Sequence, residues 1–171
     1  MNPTQIIAKI QDEFAEAIVG AFSDDKHPRV DIQTKYWRRL AETLHDDDQL
    51  AFDWVGCLSA VDYVADDRVA VVYDLYSTRH DHWFAVKVYM DRESPRIASV
   101  MDLWPAADWH EREAFDMMGI VFEGHKDLRR ILLPEDWVGY PLRKDYAFPR
   151  EYHGIPGTYE LDWQQKRDYP A

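Results

Sequence analysis

The sequence predicts an α+β fold: an antiparallel sheet packed by amphipathic helices and followed by an extended, irregular C-terminal tail. Three observations lead to this prediction. Residues 1–48 hold two segments whose apolar positions recur at helical spacing. Residues 52–90 hold three runs rich in β-branched and aromatic side chains, separated by short polar links. Residues 119–171 contain 5 Gly and 5 Pro, a content that favours irregular chain.

Composition sets the limits within which this fold must lie. A chain of 171 residues is long enough for one domain with a core, and its 46% of hydrophobic residues excludes a disordered chain. The net charge of -12 argues against binding nucleic acid, because such binding requires basic residues that neutralise phosphates. No segment approaches the roughly 18 uncharged apolar residues of a spanning helix, and the first residues do not resemble a secretory signal. We therefore expect a soluble chain that reaches a membrane only through a partner.

The single cysteine, Cys57, excludes an internal disulfide and cannot hold an iron–sulfur cluster alone, because such clusters need several thiolates. It lies in an apolar run and is predicted to be a buried, unreactive thiol. Residues 1–118 hold 23 acidic and 12 basic residues. This acidic surface is either simply solvated or complementary to a basic partner.

The first predicted helix has a clear start. Asn2 is its N-cap, Pro3 occupies the first helical position, and Gln5 completes a capping box. Gly20 is predicted to end it, and its apolar stripe consists of Ile6, Ile10, Phe14 and Ile18. A second helix is predicted from near Thr34 to the acidic residues 46–48.

The strands are predicted at residues 52–64, 69–76 and 83–90. Short polar links at 65–68 and 77–82 make them an antiparallel meander, against which the helices bury their apolar stripes. Segment 94–104 is less regular, and we predict a short helix there that closes before Pro105.

A third amphipathic helix is predicted with Asp108 as N-cap, Glu111 at the capping-box position and Gly119 at its end. Arg112 lies four residues from both Asp108 and Asp116, so it is predicted to pair with both carboxylates. We divide the chain into a body at 1–125 and a tail at 126–171, with a possible short element at 129–133. The tail is rich in aromatic and aliphatic residues, which must be buried on its own body or on another subunit.

The search for catalytic chemistry gives weak candidates. His80 and His82 alternate on a strand and so face one side, but a metal site needs three or four protein ligands. A stand-alone metal-dependent hydrolase that uses these two residues and His110 is the alternative from another functional class. The chain has no nucleophile elbow and no glycine-rich phosphate loop. We therefore predict a binding protein without an active site of its own.

Residues 111–146 resemble the hallmark segment of one family of respiratory-chain NADH dehydrogenase subunits, the C-type or "30 kDa" peripheral-arm subunits of NDH-1 (complex I, NADH-quinone oxidoreductase). The resemblance is carried by Glu111-Arg112-Glu113, Asp116, Gly119, His125, the run 129–132 and the run 141–146, with residues 104–109 before them. Residues 1–100 match the family only in general architecture.

This resemblance implies a non-catalytic peripheral-arm subunit of a proton-translocating NADH:quinone oxidoreductase, at the cytoplasmic face of the inner membrane. It implies no cofactor in this chain, because flavin, iron–sulfur clusters and the quinone pocket belong to partner subunits. The expected partners are the D-type quinone-site subunit and the B-type and I-type subunits. An equivalent subunit of a membrane-bound energy-converting hydrogenase or a formate-linked complex remains the alternative.

The resemblance also gives a predicted partner interface. In it, Tyr146 is an aromatic anchor and Arg143 forms bidentate pairs with a partner carboxylate. The open alternative is that the same residues only pack the tail onto its own body. The predicted interface consists of Glu111, Arg112, Glu113, His125, Arg129, Arg130, Pro141, Leu142, Arg143, Lys144, Asp145 and Tyr146.

Overall fold

A computed structural model describes residues 1–156. At its centre is a five-stranded sheet with the order β1–β2–β5–β4–β3. The strands are β1 Ile18–Phe22, β2 Arg29–Gln33, β3 Trp54–Tyr63, β4 Arg68–Ser77 and β5 His82–Asp91. The helices are α1 Pro3–Phe14, α2 Trp37–Asp46 and α3 Ala107–Met118. The predicted α+β class is confirmed.

The meander of β3, β4 and β5 is antiparallel throughout, as predicted. The sheet as a whole is mixed, because β2 runs parallel to β5 with Ile32 opposite Val88. The predicted antiparallel sheet is therefore mostly antiparallel, with this one parallel pair. The reason is topological: the chain leaves β2 through α2, and the meander then brings β5 back beside β2 in the same direction.

Helix α1 begins as predicted. The Asn2 side chain accepts a hydrogen bond from the Gln5 N–H at 2.9 Å, and the Gln5 side chain accepts one from the Asn2 N–H at 3.0 Å. The predicted end was wrong, because the helix stops at Phe14 and Ile18 opens strand β1. An apolar residue four positions further on faces the core in either element, so the spacing alone could not separate them. Gly20 lies inside β1, where an added Cβ would come within 2.9 Å of the Phe22 ring.

Helix α2 follows a short 3-10 turn at Thr34–Tyr36 and stops at Asp46, as predicted. It buries Trp37, Leu40 and Leu44 completely. The Trp37 ring stacks on the Tyr73 ring of β4 with 4.0 Å between centroids. Burying each such side chain contributes about 1.5 to 3 kcal/mol, so this stripe fixes α2 on the sheet.

The predicted short helix at 94–104 was wrong. The chain instead forms strand β6, Arg96–Ala98, which pairs in parallel with β7, Val121–Glu123. These two strands flank α3 in sequence, so the hydrogen bonds that stabilise β6 come from a partner beyond the helix. A local pattern carries no information about such a partner.

Residues 124–150 form turns and bends, in agreement with the predicted irregular tail, and the possible element at 129–133 is not a helix or a strand. A small hairpin follows, with β8 Glu151–Tyr152 paired to β9 Ile155–Pro156. The predicted tail also includes residues 157–171, which lie outside the described part. Among residues 1–156, no helix is long and apolar enough to cross a membrane.

Candidate functional site at the end of helix α3

Helix α3 is held at its start by a buried carboxylate, not by the predicted capping box. Its N-cap is Ala106, without a side-chain hydrogen bond, and Asp108 lies inside the first turn. Glu111 is fully buried and accepts hydrogen bonds from the Ser99 hydroxyl at 2.6 Å and the Val100 N–H at 2.8 Å. The predicted role of Glu111 was wrong, because the donors that reach it come from the turn after β6 and not from the helix start.

The junction of body and tail packs against the same carboxylate. The His125 side chain is fully buried, with its Nε2 atom 3.2 Å from Asp108 Oδ1 and 4.0 Å from Glu111 Oε2. Its Nδ1 atom accepts the Asp127 N–H at 3.1 Å, which places a ring proton on Nε2, toward the two carboxylates. Body and tail therefore meet at a cluster of three titratable side chains.

Burial raises the pKa of Glu111 to about 7, against the hydrogen bonds from Ser99 and Val100, which lower it. Because the folded-state pKa lies above the ordinary value, this group stabilises the fold fully below about pH 4.5 and loses that contribution as the pH rises to about 7. We expect Glu111→Gln to remove roughly 2 to 3 kcal/mol of the decrease in unfolding free energy between pH 4.5 and 8. Denaturant unfolding at several pH values measures this change.

Glu113→Gln is the matched control, because Glu113 is exposed on the same helix. It should leave the pH profile of the unfolding free energy unchanged. If the Glu111→Gln variant and the unsubstituted chain show the same pH dependence of the unfolding free energy, the pKa of Glu111 is not raised by burial.

The last turn of α3 is capped by the tail. An α-helix leaves its last four carbonyl groups without helical partners. Here Phe115 O accepts the Gly119 N–H, Asp116 O accepts the Arg130 guanidinium, Met117 O accepts the Leu142 N–H, and Met118 O accepts Arg143 Nε. The two guanidinium groups also place positive charge at the negative end of the helix dipole. Residues 130–143 therefore complete the helix to which they are fastened.

Asp116 is the centre of this arrangement. Its fully buried carboxylate accepts the N–H groups of Ile131, Leu132 and Leu133 at 2.7 to 3.0 Å, and Arg130 Nη1 at 2.7 Å. Burial raises the pKa of Asp116, but these hydrogen bonds outweigh it, so that the pKa lies below its ordinary value. The carboxylate thus stays ionised and fixes four consecutive tail residues.

Arg130 extends the connection further along the tail. Its Nη2 atom donates to Trp137 O at 3.2 Å and to Gly139 O at 3.1 Å. The rigid fork of a guanidinium suits such multiple contacts, which lysine could not reproduce. One arginine therefore holds the end of α3 and two turns of the tail in a single geometry.

A second ion cluster fastens the tail to the sheet. The buried carboxylate of Asp62, in β3, accepts Arg92 Nε at 2.7 Å, Arg92 Nη2 at 3.0 Å and the Lys144 N–H at 2.8 Å. Arg92 also donates to Asp145 at 2.5 Å, and the Arg92 carbonyl oxygen accepts from Arg143 at 3.1 Å. The hydrogen bonds from Arg92 lower the pKa of Asp62 despite its burial. We call these residues the clasp: Asp62, Arg92, Asp116, Arg130 and Arg143.

The other predicted interface residues lie around the clasp. Arg112 does not pair with Asp108 or Asp116, as had been predicted; it stacks over Trp109 at 5.0 Å and lies 3.8 Å from Asp127. The prediction failed because Asp116 turns to Arg130, while Asp108 Oδ1 faces His125 Nε2. Tyr146 donates its hydroxyl to Val138 O at 3.0 Å. Pro141 is half-buried, and the exposed residues are Glu113, Arg129, Leu142, Lys144 and Asp145.

Asp62, Arg92 and Tyr140 were not predicted as site residues. Tyr140 lies between the guanidinium groups of Arg130 and Arg143, 5.5 and 5.3 Å from its ring centroid. A signal for Asp62 existed, since it is an acidic residue at an inward-facing position of a predicted strand. No comparable signal existed for Arg92, whose contacts span about fifty residues of sequence.

The histidine candidates have structural partners. The His80 and His82 rings stack at 5.6 Å, and their Nε2 atoms face the carbonyl oxygens of Asp48 and Leu50. Across the described part of the chain, no three His, Cys, Asp or Glu side chains are grouped to hold a metal ion. Cys57 is half-buried, not fully buried as predicted, because a β-bulge between Val55 and Cys57 shifts its strand position.

Fold and clasp together define a class of protein: a mixed α+β domain whose C-terminal segment is fastened across the end of helix α3. The chain belongs to the family described as "Respiratory-chain NADH dehydrogenase, 30 Kd subunit", whose model matches residues 30–152. The resemblance drawn from residues 111–146 is thereby confirmed.

Individual relatives agree with this family. The chain is 47% identical over 152 residues to the C-type subunit of the NADH-quinone oxidoreductase of Chloroherpeton thalassium, covering 88% of this chain and 63% of that protein. It therefore spans less than two thirds of that relative's length. The corresponding protein of Chlorobium phaeobacteroides is 42% identical, with 88% of this chain and 92% of that protein covered.

Two solved structures share the fold. A trypsin-resistant fragment (1-134) of Nqo5 matches with a TM-score of 0.63 and 27% identity, covering 75% of this chain and 100% of the fragment. A chain of a membrane-bound sulfane sulfur reductase, an archaeal respiratory complex, matches with a TM-score of 0.72 and covers 98% of this chain and 95% of its own. At 19% identity the second match shows the fold alone.

Proposed function

We propose that this chain is a non-catalytic peripheral-arm subunit of a proton-translocating NADH:quinone oxidoreductase and supports assembly next to the quinone-site subunit. The observation that carries the proposal is the state of the tail. Its backbone is fastened by the clasp, yet several of its large apolar side chains are 55 to 85% exposed. These exposed apolar tail residues are Leu132, Val138, Leu142, Phe148 and Ile155.

Exposed apolar side chains on a rigid support are typical of a docking surface. Because the clasp fixes the tail before any partner arrives, little conformational entropy is lost on binding. Arg130 donates to three carbonyl groups of this chain and Arg143 to two. We therefore propose that partner affinity comes chiefly from the exposed apolar tail residues, with exposed Arg129 and Lys144 at the rim.

The proposal places the chain beside the D-type subunit, with the B-type and I-type subunits nearby, at the cytoplasmic face of the membrane. Electrons pass through flavin, iron–sulfur clusters and quinone elsewhere in the complex, and this chain helps to hold the subunits in position. The family match and the relatives from NADH-quinone oxidoreductases support this placement.

The double variant Val138→Glu, Leu142→Glu tests the proposal. Two charges on the exposed apolar tail residues should weaken assembly at least 30-fold, since one interface hot spot contributes about 2 kcal/mol. The isolated chain should keep its circular dichroism spectrum, because neither side chain is buried. The readouts are membrane NADH:quinone activity and the subunits that co-purify with the chain.

Val64→Glu is the matched control, because Val64 is exposed on the short link between β3 and β4, outside the tail. It should leave assembly intact. A fully assembled and fully active complex with the double variant would overturn the proposal. Co-purification with hydrogenase or formate-linked subunits would instead identify a different parent complex.

A further inference from the structure

The face of the sheet opposite the helices carries an unusual row of aromatic side chains. Trp54, Tyr76 and Trp83 are direct cross-strand neighbours on β3, β4 and β5, so they lie side by side across three strands. The Trp83 ring stacks on the Tyr76 ring with 4.4 Å between centroids. Trp54 and Trp83 are nevertheless 54% and 57% exposed. We call these three residues the aromatic row.

The aromatic row is held in place by the backbone beneath it. Gly56 lies at the β-bulge of β3, and an added Cβ would come within 2.8 Å of the Trp83 ring. The ring therefore lies directly against the strand, which only glycine permits. Such packing fixes the orientation of the large apolar side chains of Trp54 and Trp83, which remain in contact with water. While they are uncovered, the chain lacks the stabilisation that their burial would give.

A hollow of about 390 Å³ adjoins Trp83. Its walls combine the Trp83 ring and the Asp74 carboxylate with the basic side chains of Lys26 and His27. Residues that line it include Lys26, His27, Cys57, Asp74, Trp83 and Ala85.

In the described part of the chain, the carboxylates around the aromatic row lack cationic partners. Asp81 accepts the Tyr76 hydroxyl at 2.7 Å, and Asp53 accepts the Thr78 N–H at 2.9 Å. Within residues 1–156, Asp53, Asp74 and Asp81 form no ion pair with a lysine or arginine. Burial raises the pKa of Asp74, and the neighbouring His27 offsets this rise only in part.

Lys26 shares its loop with Asp24, whereas Asp25 pairs with Arg29 at 2.6 Å. An exposed indole face next to carboxylates is the environment that a guanidinium prefers, since it stacks on the ring and donates to the carboxylate. We propose that the aromatic row and the adjoining hollow form a second docking surface, which receives an arginine side chain from a basic segment of a neighbouring subunit. This surface rests on the proposed function, because it requires a neighbour in an assembled complex.

Photo-crosslinking in the assembled membrane complex tests this surface. Benzoylphenylalanine replaces Trp83 in one variant and Trp54 in another. If the Trp83 variant does not assemble into the complex, the Trp54 variant provides the test. The expected result is an adduct with a peptide of another subunit that contains arginine at or beside the linked residue, identified by mass spectrometry. The same probe at Asp66, exposed at the far end of the β3–β4 hairpin, should give no such adduct.

Charge substitution gives the second arm. Asp74→Lys should reduce the adduct yield from Trp54 at least fivefold, whereas Asp66→Lys should leave it unchanged. No adduct, an adduct within this same chain, or one with a peptide that lacks basic residues overturns the second docking surface. The same probe at Val138 separates the proposed function from the second docking surface. An adduct at Val138 alone supports the proposed function and overturns the second docking surface. If no position gives an adduct, both proposals are overturned.

Discussion

Asp116→Ala is expected to lower the free energy of unfolding by about 3 kcal/mol, because removing one partner of a buried ion pair leaves the other charge unpaired. Arg130 would lose its carboxylate, and the N–H groups of Ile131, Leu132 and Leu133 would lose their acceptor. The tail should then detach from α3 while the sheet and its core remain. Denaturant unfolding measures the loss, and hydrogen exchange of residues 130–143 should rise in the native state.

Two control variants separate the charge from the general effect of substitution. Asp116→Asn keeps an acceptor of the same shape and should cost about 1 to 2 kcal/mol. Asp48→Ala removes a highly exposed carboxylate paired with Arg79 and should change nothing measurable. Equal exchange protection of 130–143 in the Asp116→Ala variant and the unsubstituted chain would show that Asp116 does not hold the tail.

Gly119→Ala is expected to lower the unfolding free energy by about 2 to 4 kcal/mol, through two separate causes. Gly119 has a φ of +74°, a left-handed conformation that L side chains adopt at a cost. An added Cβ would also lie 2.4 Å from the Tyr140 ring. That ring cannot move freely, because Arg130 and Arg143 lie close to it. Thermal and denaturant unfolding provide the measurement.

Gly124→Ala is a matched control for the first cause alone. Gly124 has a φ of +86°, but its added Cβ would meet nothing within 4 Å. Its cost should therefore be limited to the backbone strain, about 1 kcal/mol. If both alanine variants lose the same stability, the contact between Tyr140 and the end of α3 contributes nothing to the fold.

The clasp gives one physical account of the segment that carries the family resemblance. The arginines, carboxylates and glycines of residues 111–146 mostly form hydrogen bonds with backbone groups of this chain. These hydrogen bonds cap the end of α3 and fix the tail. The charged side chains of residues 111–146 thus fix the conformation of the tail surface. On that account, the partner side of the segment consists of the apolar side chains that the fixed backbone presents to solvent.

Local chemistry was sufficient to predict the main elements. The capping box at Asn2 and Gln5 sets the start of α1, and β-branched runs separated by polar links give the β3–β5 meander. The glycine after α3 adopts the left-handed conformation that ends the helix. Each of these signals depends on neighbours within a few residues, so the sequence contains it completely.

Distant contacts decided the rest. Strand β6 forms because β7 pairs with it across α3, and β5 lies parallel to β2 because of the path that the chain takes between them. Glu111 looked like a capping residue, yet its hydrogen-bond donors come from Ser99 and Val100. Arg112 had carboxylates at helical spacing, but Asp116 turns to Arg130 and the tail instead.

The sequence by itself determined the fold class, the family and the segment in which the candidate site lies, because these follow from local periodicity and from the order of residues in one run. Only the tertiary structure decided which charges meet. A buried carboxylate takes whichever donors the packed chain brings within about 3 Å, and separations of 53 residues for Arg92 and Asp145 and 82 for Asp62 and Lys144 leave no local pattern. The clasp is therefore a property of the folded chain, built from residues that the sequence marks only in part.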